Sequence, residues 1–114
     1  MATPNTRTLT QGKTSGAVTA SQLIAPGNNA SSGQQRIVVD AGILTASGAA
    51  TVQLLNKVGG TAITPAFNLV AGVPLDLASL CKFGDIKSEP GDGIALTSVG
   101  AVDIAYALVS HYEP

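Results

Sequence analysis

Charged residues are scarce in this chain of 114 residues. Asp, Glu, Lys and Arg make up 11% of the sequence and the formal net charge is −1 at pH 7, whereas roughly a quarter of the residues are charged in typical soluble domains. Nucleic-acid binding requires Lys and Arg clustered on one face. The first acid is Asp40, and the three cations before it, Arg7, Lys13 and Arg36, are spread over 39 residues. The sequence therefore predicts no nucleic-acid partner.

Cysteine and histidine each occur once. Cys81 has no second cysteine to pair with, so no internal disulfide holds the domain together. One His and one Cys cannot supply the four ligands of a structural zinc site. The sequence places no nucleophile against His111, so we expect an exposed histidine after the final strand rather than a general base. Cys81 is expected to be a small apolar filler. The sequence predicts a protein that is not an enzyme and that has no cofactor.

Long apolar runs and aromatic residues are also lacking. No run approaches the roughly 18 residues of a membrane span, and the first residues do not form a charged-then-apolar leader. We therefore expect no membrane partner and synthesis in the host cytoplasm. The chain has no Trp, two Phe and two Tyr, too few to form stacking platforms for sugars or bases. Phe67, Phe83 and Tyr106 are expected to fill the core, and Tyr112 to lie at an interface.

Glycine, proline, threonine, serine and alanine dominate instead, and they favour a β protein. Short apolar runs are separated by turn signals at a spacing of about 8–12 residues, which is typical of sandwiches and small barrels. Gly59-Gly60 suits a tight hairpin, and Pro90-Gly91-Asp92-Gly93 forms a strong turn. The sequence predicts one all-β domain, an antiparallel β-sandwich of about eight strands, with at most one short helix near Leu75 to Leu80.

The leading segment differs from the rest of the chain. Residues 1–16 contain one large apolar side chain beyond the initiator Met, Leu9, among five Thr. Such a segment cannot bury enough apolar surface to offset its ordering entropy, so it is either disordered or laid against a partner. We expect an extended N-terminal arm over residues 1–16 and the sandwich domain over residues 17–114.

The final strand has two contrasting faces. Val102, Ile104, Tyr106 and Leu108 alternate as a set facing the core. The opposite face has small and nearly uncharged residues, namely Ala101, Asp103, Ala105, Ala107 and Val109. A half-exposed alanine row is one interpretation. The other is that the arm, a third layer or another subunit covers this face. Together with the low charge, the second interpretation predicts a stable homo-oligomer.

One acidic cluster stands in a loop rich in Gly and Pro. Asp85, Glu89 and Asp92 lie within eight residues, at a spacing that does not match an EF-hand. A solvated, turn-forming loop is one interpretation. The alternative is a calcium- or glycan-binding β-sandwich module that uses these acids and the loop from Gly27 to Gly33.

Several segments resemble the small virion β-sandwich proteins of tailed bacteriophages over residues 35–112. These segments are Val52-Gln53-Leu54-Leu55, Gly59-Gly60-Thr61-Ala62-Ile63, Leu69 to Leu77, Gly93 to Ser98 and Val102 to Tyr112. The resemblance implies a jelly-roll-like fold and a non-enzymatic role as a capsid decoration, or cement, protein on the capsid surface of a virion. Such proteins are commonly homotrimers that bind junctions between major capsid subunits. A head-fibre, tail or baseplate component is the close alternative.

The resemblance also implies which residues meet partners. The arm would extend across the shell, with Arg7 and Lys13 meeting acidic capsid loops and its backbone pairing with a neighbour. Asp103 departs from the pattern because it interrupts the apolar row of the closing strand. The expected interface residues are Arg7, Leu9, Lys13, Ala101, Asp103, Ala105, Ala107, Val109 and Tyr112.

Overall fold

The computed structural model of the protein describes residues 7–16, 21–29 and 33–113. Within these ranges the chain forms nine strands and one short helix. The elements are β1 (Thr8–Thr14), β2 (Ser21–Ile24), β3 (Gly27–Asn29), β4 (Gly33–Ala46), β5 (Ala50–Asn56), β6 (Phe67–Leu69), β7 (Leu75–Asp76), α1 (Ala78–Lys82), β8 (Ile94–Val99) and β9 (Ile104–Glu113). None of the helical structure in these ranges is long and apolar enough to span a bilayer.

The strands form two antiparallel sheets. The five-stranded sheet has the order β1-β9-β4-β3, with the two-residue β7 also pairing with β4, and the four-stranded sheet has the order β2-β8-β5-β6. Apart from the short β3, each strand lies in the opposite sheet from the one before it except at β5 and β6, which pair with each other, and β1 lies beside β9, the last strand, as in a jelly roll. The predicted all-β sandwich with jelly-roll-like topology is confirmed.

The core lies between the two sheets and is built from alternating side chains. β9 contributes Ile104 and Leu108, which are fully buried, and Val102 and Tyr106 pack against the same cluster, as the alternation predicts. Each fully buried Leu or Ile contributes about 1.5–3 kcal/mol relative to an exposed one. The remaining fully buried large side chains are Ile37, Val39, Leu44, Val52, Leu54, Leu77, Ile86, Ile94 and Leu96.

A bulge at Asp40 divides β4 into two halves. The pairing with β9 shifts by one residue between Val39 and Ala41. An extra residue in one strand reverses the faces beyond it, so Val39 faces the core before the bulge and Gly42 and Leu44 face it afterwards. At Gly42 a Cβ would lie 2.7 Å from Leu108 Cδ2, so glycine lets Leu108 pack directly on β4.

The short helix α1 follows β7 near the predicted position. Asp76 accepts a hydrogen bond from the backbone N–H of Ala78 at 3.0 Å, and Cys81 is buried in the core cluster. The prediction that Phe83 fills the core is wrong, because its side chain is 74% exposed. Phe83 follows the last helical residue, and Leu80 and Cys81 take the positions against the core.

The described part of the leading segment forms an edge strand. β1 pairs with β9 over seven residues, from Thr8 opposite Ser110 to Thr14 opposite Ile104. The inward-facing residues of β1 are small. Thr14 is buried, and a Cβ at Gly12 would lie 2.6 Å from the hydroxyl oxygen of Tyr106. Residues 1–6 and 17–20 lie outside the described residues. The described arm residues thus extend along the last strand of the sandwich.

Candidate interaction surface

The outward side of the five-stranded sheet carries apolar residues on three neighbouring strands, with the polar Gln11 beside Ala107 and Thr45 beside Ala105. In the register of β1, β9 and β4, Leu9 and Ala41 flank Val109, while Ala107 lies beside Ile43 and Ala105 lies beside Lys13. Leu9 and Ile43 remain 57% and 47% exposed. We name this surface the outer apolar face. Its members are Leu9, Ala41, Ile43, Ala105, Ala107 and Val109.

The outward side of the four-stranded sheet has a different character. Thr51 donates a hydrogen bond to Asn68 Oδ1 at 3.1 Å, and Gln53 donates one to the carbonyl oxygen of Thr64 at 3.3 Å. Thr97 lies opposite Gln53 in the register with β8, and the exposed Val99 lies opposite Thr51 at the end of β8 as the one exposed large apolar side chain on the described part of this side. Polar, uncharged residues of this kind are normal on a water-facing sheet. The two outer surfaces of one sandwich therefore differ, and the apolar one is the candidate interface.

Ion pairs within the chain stand at both ends of β1. Arg7 Nε lies 3.3 Å from Asp40 Oδ2, and Lys13 Nζ lies 3.6 Å from Asp103 Oδ2. The Arg7 and Lys13 side chains remain about three-fifths exposed, and exposed pairs of this kind contribute about 0–1 kcal/mol. The two arm cations predicted to meet a partner are thus held weakly at the margin of the outer apolar face.

His111 lies in a cluster of charged groups at one end of this face. Its Nδ1 is 2.7 Å from Asp40 Oδ2, and its Nε2 is 3.1 Å from Glu113 Oε2. The expectation of an exposed histidine beyond the final strand is wrong: β9 continues to Glu113, and His111 is buried opposite Val38. Burial lowers the pKa of the imidazole, but the hydrogen bonds and charges of Asp40 and Glu113 outweigh it, so the pKa of His111 is raised above 6.5.

The two most reactive side chains of the chain are both enclosed. Both ring nitrogens of His111 are engaged by carboxylates, which leaves neither nitrogen to accept a proton from a substrate. Burial, with smaller contributions from the charges of Asp40 and Asp76, raises the pKa of the Cys81 thiol to about 11. A buried thiol with a raised pKa is a poor nucleophile, so Cys81 fills the core as predicted.

The acidic loop has partners within the protein. Glu89 lies 3.7 Å from Arg36, and Asp92 accepts a hydrogen bond from the Asn56 amide at 3.0 Å. Over residues 7–16, 21–29 and 33–113, no group of three or more His, Cys, Asp or Glu side chains is placed to hold a metal ion. Glu89 and Asp92 thus contact residues of β4 and β5, while Asp85 is exposed.

Besides Arg7 and Lys13, the predicted interface residues fall into three groups. Leu9, Ala105, Ala107 and Val109 share the outer apolar face, as described above. Ala101 is exposed in the turn before β9, and Asp103 accepts the N–H of Ser47 on its carbonyl oxygen and donates its own N–H to Ser47 Oγ. Tyr112 faces the other way: its ring packs against the core cluster, and its hydroxyl donates to the carbonyl oxygen of Ala25 at 2.9 Å.

Sequence reasoning missed two members of the outer apolar face, Ala41 and Ile43. The bulge at Asp40 conceals them, because the alternation of apolar residues in β4 changes phase there. The signal that was available is the run Ala41-Gly42-Ile43-Leu44, which contains no charged residue directly after Asp40.

Comparisons with known proteins do not assign this chain to a family. No protein-family model matches the chain, and no curated protein matches it. A solved structure from work describing Bacillus endospore appendages as a novel family of disulfide-linked pili aligns with 99% of this chain and 94% of its own, at 17% identity and a TM-score of 0.45. A likeness at this level carries no inference about what this chain does.

Proposed function

We propose that this protein is a non-enzymatic structural protein that works by packing its outer apolar face against copies of itself and against a larger lattice. The observation that carries the proposal is the difference between the two outer surfaces of the sandwich. Leu9, Ile43 and Val109 lie on one surface, while Thr51, Gln53 and Asn68 lie on the other. An apolar centre with charged groups at its margin is the usual anatomy of a protein interface.

The size of the outer apolar face indicates how it is used. Three strands about 4.8 Å apart and about seven residues long cover about 330 Å². A stable pairwise interface buries about 800 Å² on each partner. One such face is therefore too small for a long-lived pair, and lasting attachment comes from many copies bound at once in one assembly.

The specific form that we propose is a capsid decoration protein on the surface of a virion. The support comes from the sequence resemblance to phage virion sandwiches and from the jelly-roll-like topology, which is the fold that the resemblance implies. In this form the protein is a homotrimer that binds junctions between major capsid subunits. A head-fibre, tail or baseplate component would use the same surface.

The proposed division into an arm, residues 1–16, and a domain, residues 17–114, has a structural counterpart in β1. Within the described residues β1 pairs with β9 on one side and with no strand on its other side. An unpaired edge can accept a strand from a neighbour. Arg7 and Lys13 can exchange Asp40 and Asp103 for acidic capsid groups at low cost, since both cations are about three-fifths exposed and Asp40 keeps its contact with His111.

Sedimentation of the purified protein and two variants tests self-association through the outer apolar face. Ile43→Lys places a cation in the centre of this face, beside Asp76 in the register with β7, so the fold tolerates it. Val58→Lys is the matched control, because Val58 is 51% exposed in the turn after β5. Between about 10 µM and about 1 mM, the range expected for a weak contact, we expect the unchanged protein and Val58→Lys to associate and Ile43→Lys to associate much more weakly. Equal association of all three would contradict the proposal.

The capsid assignment has its own test. Mixing the protein with shells that lack it should give saturable binding and a higher shell melting temperature, and Ile43→Lys should bind more weakly than Val58→Lys. A failure of all three proteins to bind would exclude the shell as the lattice, and the sedimentation result would stand.

The calcium-dependent alternative can be tested by melting the protein with calcium and with a chelator. Since Glu89 and Asp92 are engaged by Arg36 and Asn56, we expect the same melting temperature in both. A higher melting temperature in calcium would favour the alternative.

A further inference from the structure

The two ends of the sandwich differ in charge. Strands β1, β4, β6 and β8 run towards one end, where the turns from β4 to β5, from β6 to β7 and from β8 to β9 lie together. The residues of these turns are Ser47-Gly48-Ala49, Val70-Ala71-Gly72-Val73-Pro74 and Gly100-Ala101-Val102-Asp103, and Asp103, which is paired with Lys13, is the one charged residue among them. We name this surface, together with Val99, the apolar end.

The apolar end is built from turns that contact one another. The N–H of Gly72 donates to the carbonyl oxygen of Ala46 at 2.9 Å, and the N–H of Ser47 donates to that of Asp103 at 2.9 Å. A Cβ at Gly48 would lie 2.8 Å from Val102 Cγ1. Because these contacts tie three turns to one another, the apolar end is a defined surface.

Large apolar side chains are exposed on this surface. Val70, Val73 and Val99 are 63%, 55% and 73% exposed. Turns at the end of a sandwich normally carry polar residues, since their backbone groups face water. The nearest charged groups, Lys13 and Asp103, are paired with each other at its margin. The exposed valines of the β6–β7 turn and of the end of β8 therefore indicate a contact surface.

The opposite end carries charges. Arg36 lies opposite Glu113 in the register of β4 and β9 and pairs with Glu89. Lys57 follows β5 there, where its N–H donates to the carbonyl oxygen of Gly93, and Asp92 lies beside Asn56. Placing a valine surface on these groups would remove their water without supplying opposite charges, which is costly. The charged end is therefore not the partner of the apolar end.

We infer that two copies of this protein pair end to end through their apolar ends. A second apolar end meets the requirement for an uncharged partner surface, and a two-fold contact between identical patches closes at two copies. The cross-section of the molecule, with extents of 25 and 21 Å, gives about 400 Å² on each copy, about half of a standard interface. The pairing is therefore weak for single molecules and stronger when several copies are joined sideways.

Engineered cysteines test this pairing. The natural Cys81 is buried with a raised pKa, so a new surface thiol is the reactive one. Val73→Cys, Val70→Cys and Val99→Cys place a thiol at the apolar end, and Val58→Cys is the control at the charged end. All four are made in the Ile43→Lys chain, which removes sideways contact. We expect at least one of the first three to form disulfide dimers at least about tenfold faster than the control, because the paired ends raise the local thiol concentration.

Sedimentation between about 10 µM and about 1 mM, the range expected for a weak contact, gives a second measurement. Val73→Lys in the Ile43→Lys chain should reduce dimer formation, and Val58→Lys in the same chain should leave it unchanged. If no apolar-end cysteine reacts faster than Val58→Cys, the inference is wrong. Binding of the protein to uncharged phosphatidylcholine vesicles would then assign this end to a lipid surface. The proposed function is tested separately, because it concerns the contact that Ile43→Lys removes.

Discussion

Replacing Leu108 with Ala should reverse the effect of a second substitution, Gly42→Ala. A Cβ at Gly42 would lie 2.7 Å from Leu108 Cδ2 and 2.9 Å from Leu77 Cδ1, both closer than carbon atoms approach without strain. In the unchanged protein the added methyl group therefore overpacks the core between β4 and β9. When Leu108 is shortened, the same methyl group occupies part of the space that its side chain leaves.

The magnitudes follow from the burial of these residues. Leu108 is fully buried, so Leu108→Ala should cost about 3–5 kcal/mol of unfolding free energy. Overpacking at Gly42 costs about 1–3 kcal/mol, offset by about 0.4–1 kcal/mol because alanine restricts the unfolded chain. Gly42→Ala should therefore destabilise the unchanged protein by up to about 2.6 kcal/mol. In the Leu108→Ala variant it should stabilise by about 0.4–1 kcal/mol, because the offset remains and the space left by Leu108 also lets Leu77 Cδ1 move away from the added methyl group.

Urea unfolding of the unchanged protein, the two single variants and the double variant gives the coupling energy directly. The protein is kept dilute in this experiment, because self-association would otherwise add to the measured stability. A coupling below about 0.5 kcal/mol would mean that the two sites act independently. The packing of Leu108 over Gly42 would then not be the reason for glycine at this position.

Two further outcomes are expected. Because the pKa of His111 is raised, its contribution to stability is fully present below about pH 6.5 and is lost as the pH rises through the raised pKa. The melting temperature should fall over that range, and His111→Gln should abolish this part of the fall. Ser88→Ala should cost about 1–3 kcal/mol in urea unfolding, because the buried Ser88 hydroxyl accepts the N–H of Ile37 at 2.9 Å and Ala leaves that donor without this partner. A melting temperature that rises with pH, or a stable Ser88→Ala variant, would contradict these assignments.

The closing strand could be predicted from the sequence because its information is local. Ile104 and Leu108 alternate with Ala105 and Ala107, and this pattern of period two identifies a strand and both of its faces. The pairing of β1 with β9 could not be predicted in the same way. The resemblance implied an arm whose backbone pairs with a neighbour, and no local pattern specifies a partner within the chain.

The features that could not be predicted depend on contacts distant in the sequence. Asp40, which holds His111, lies 71 residues before it, and nothing near His111 indicates burial. The bulge at Asp40 conceals the outward position of Ile43. Phe83 resembles a core aromatic in its apolar context, but the end of a five-residue helix directs it to solvent. The apolar end brings together three turns that are each unremarkable in sequence.

The enclosure of Cys81 makes this protein suitable for observing its own opening. The thiol belongs to α1 and lies within the core cluster, so a thiol reagent reaches it only in molecules whose helix has separated from β4. The rate of labelling then measures how often that separation occurs. Because the chain has one cysteine, the signal comes from a single position. Comparing free and assembled protein would show whether joining a larger structure slows these openings.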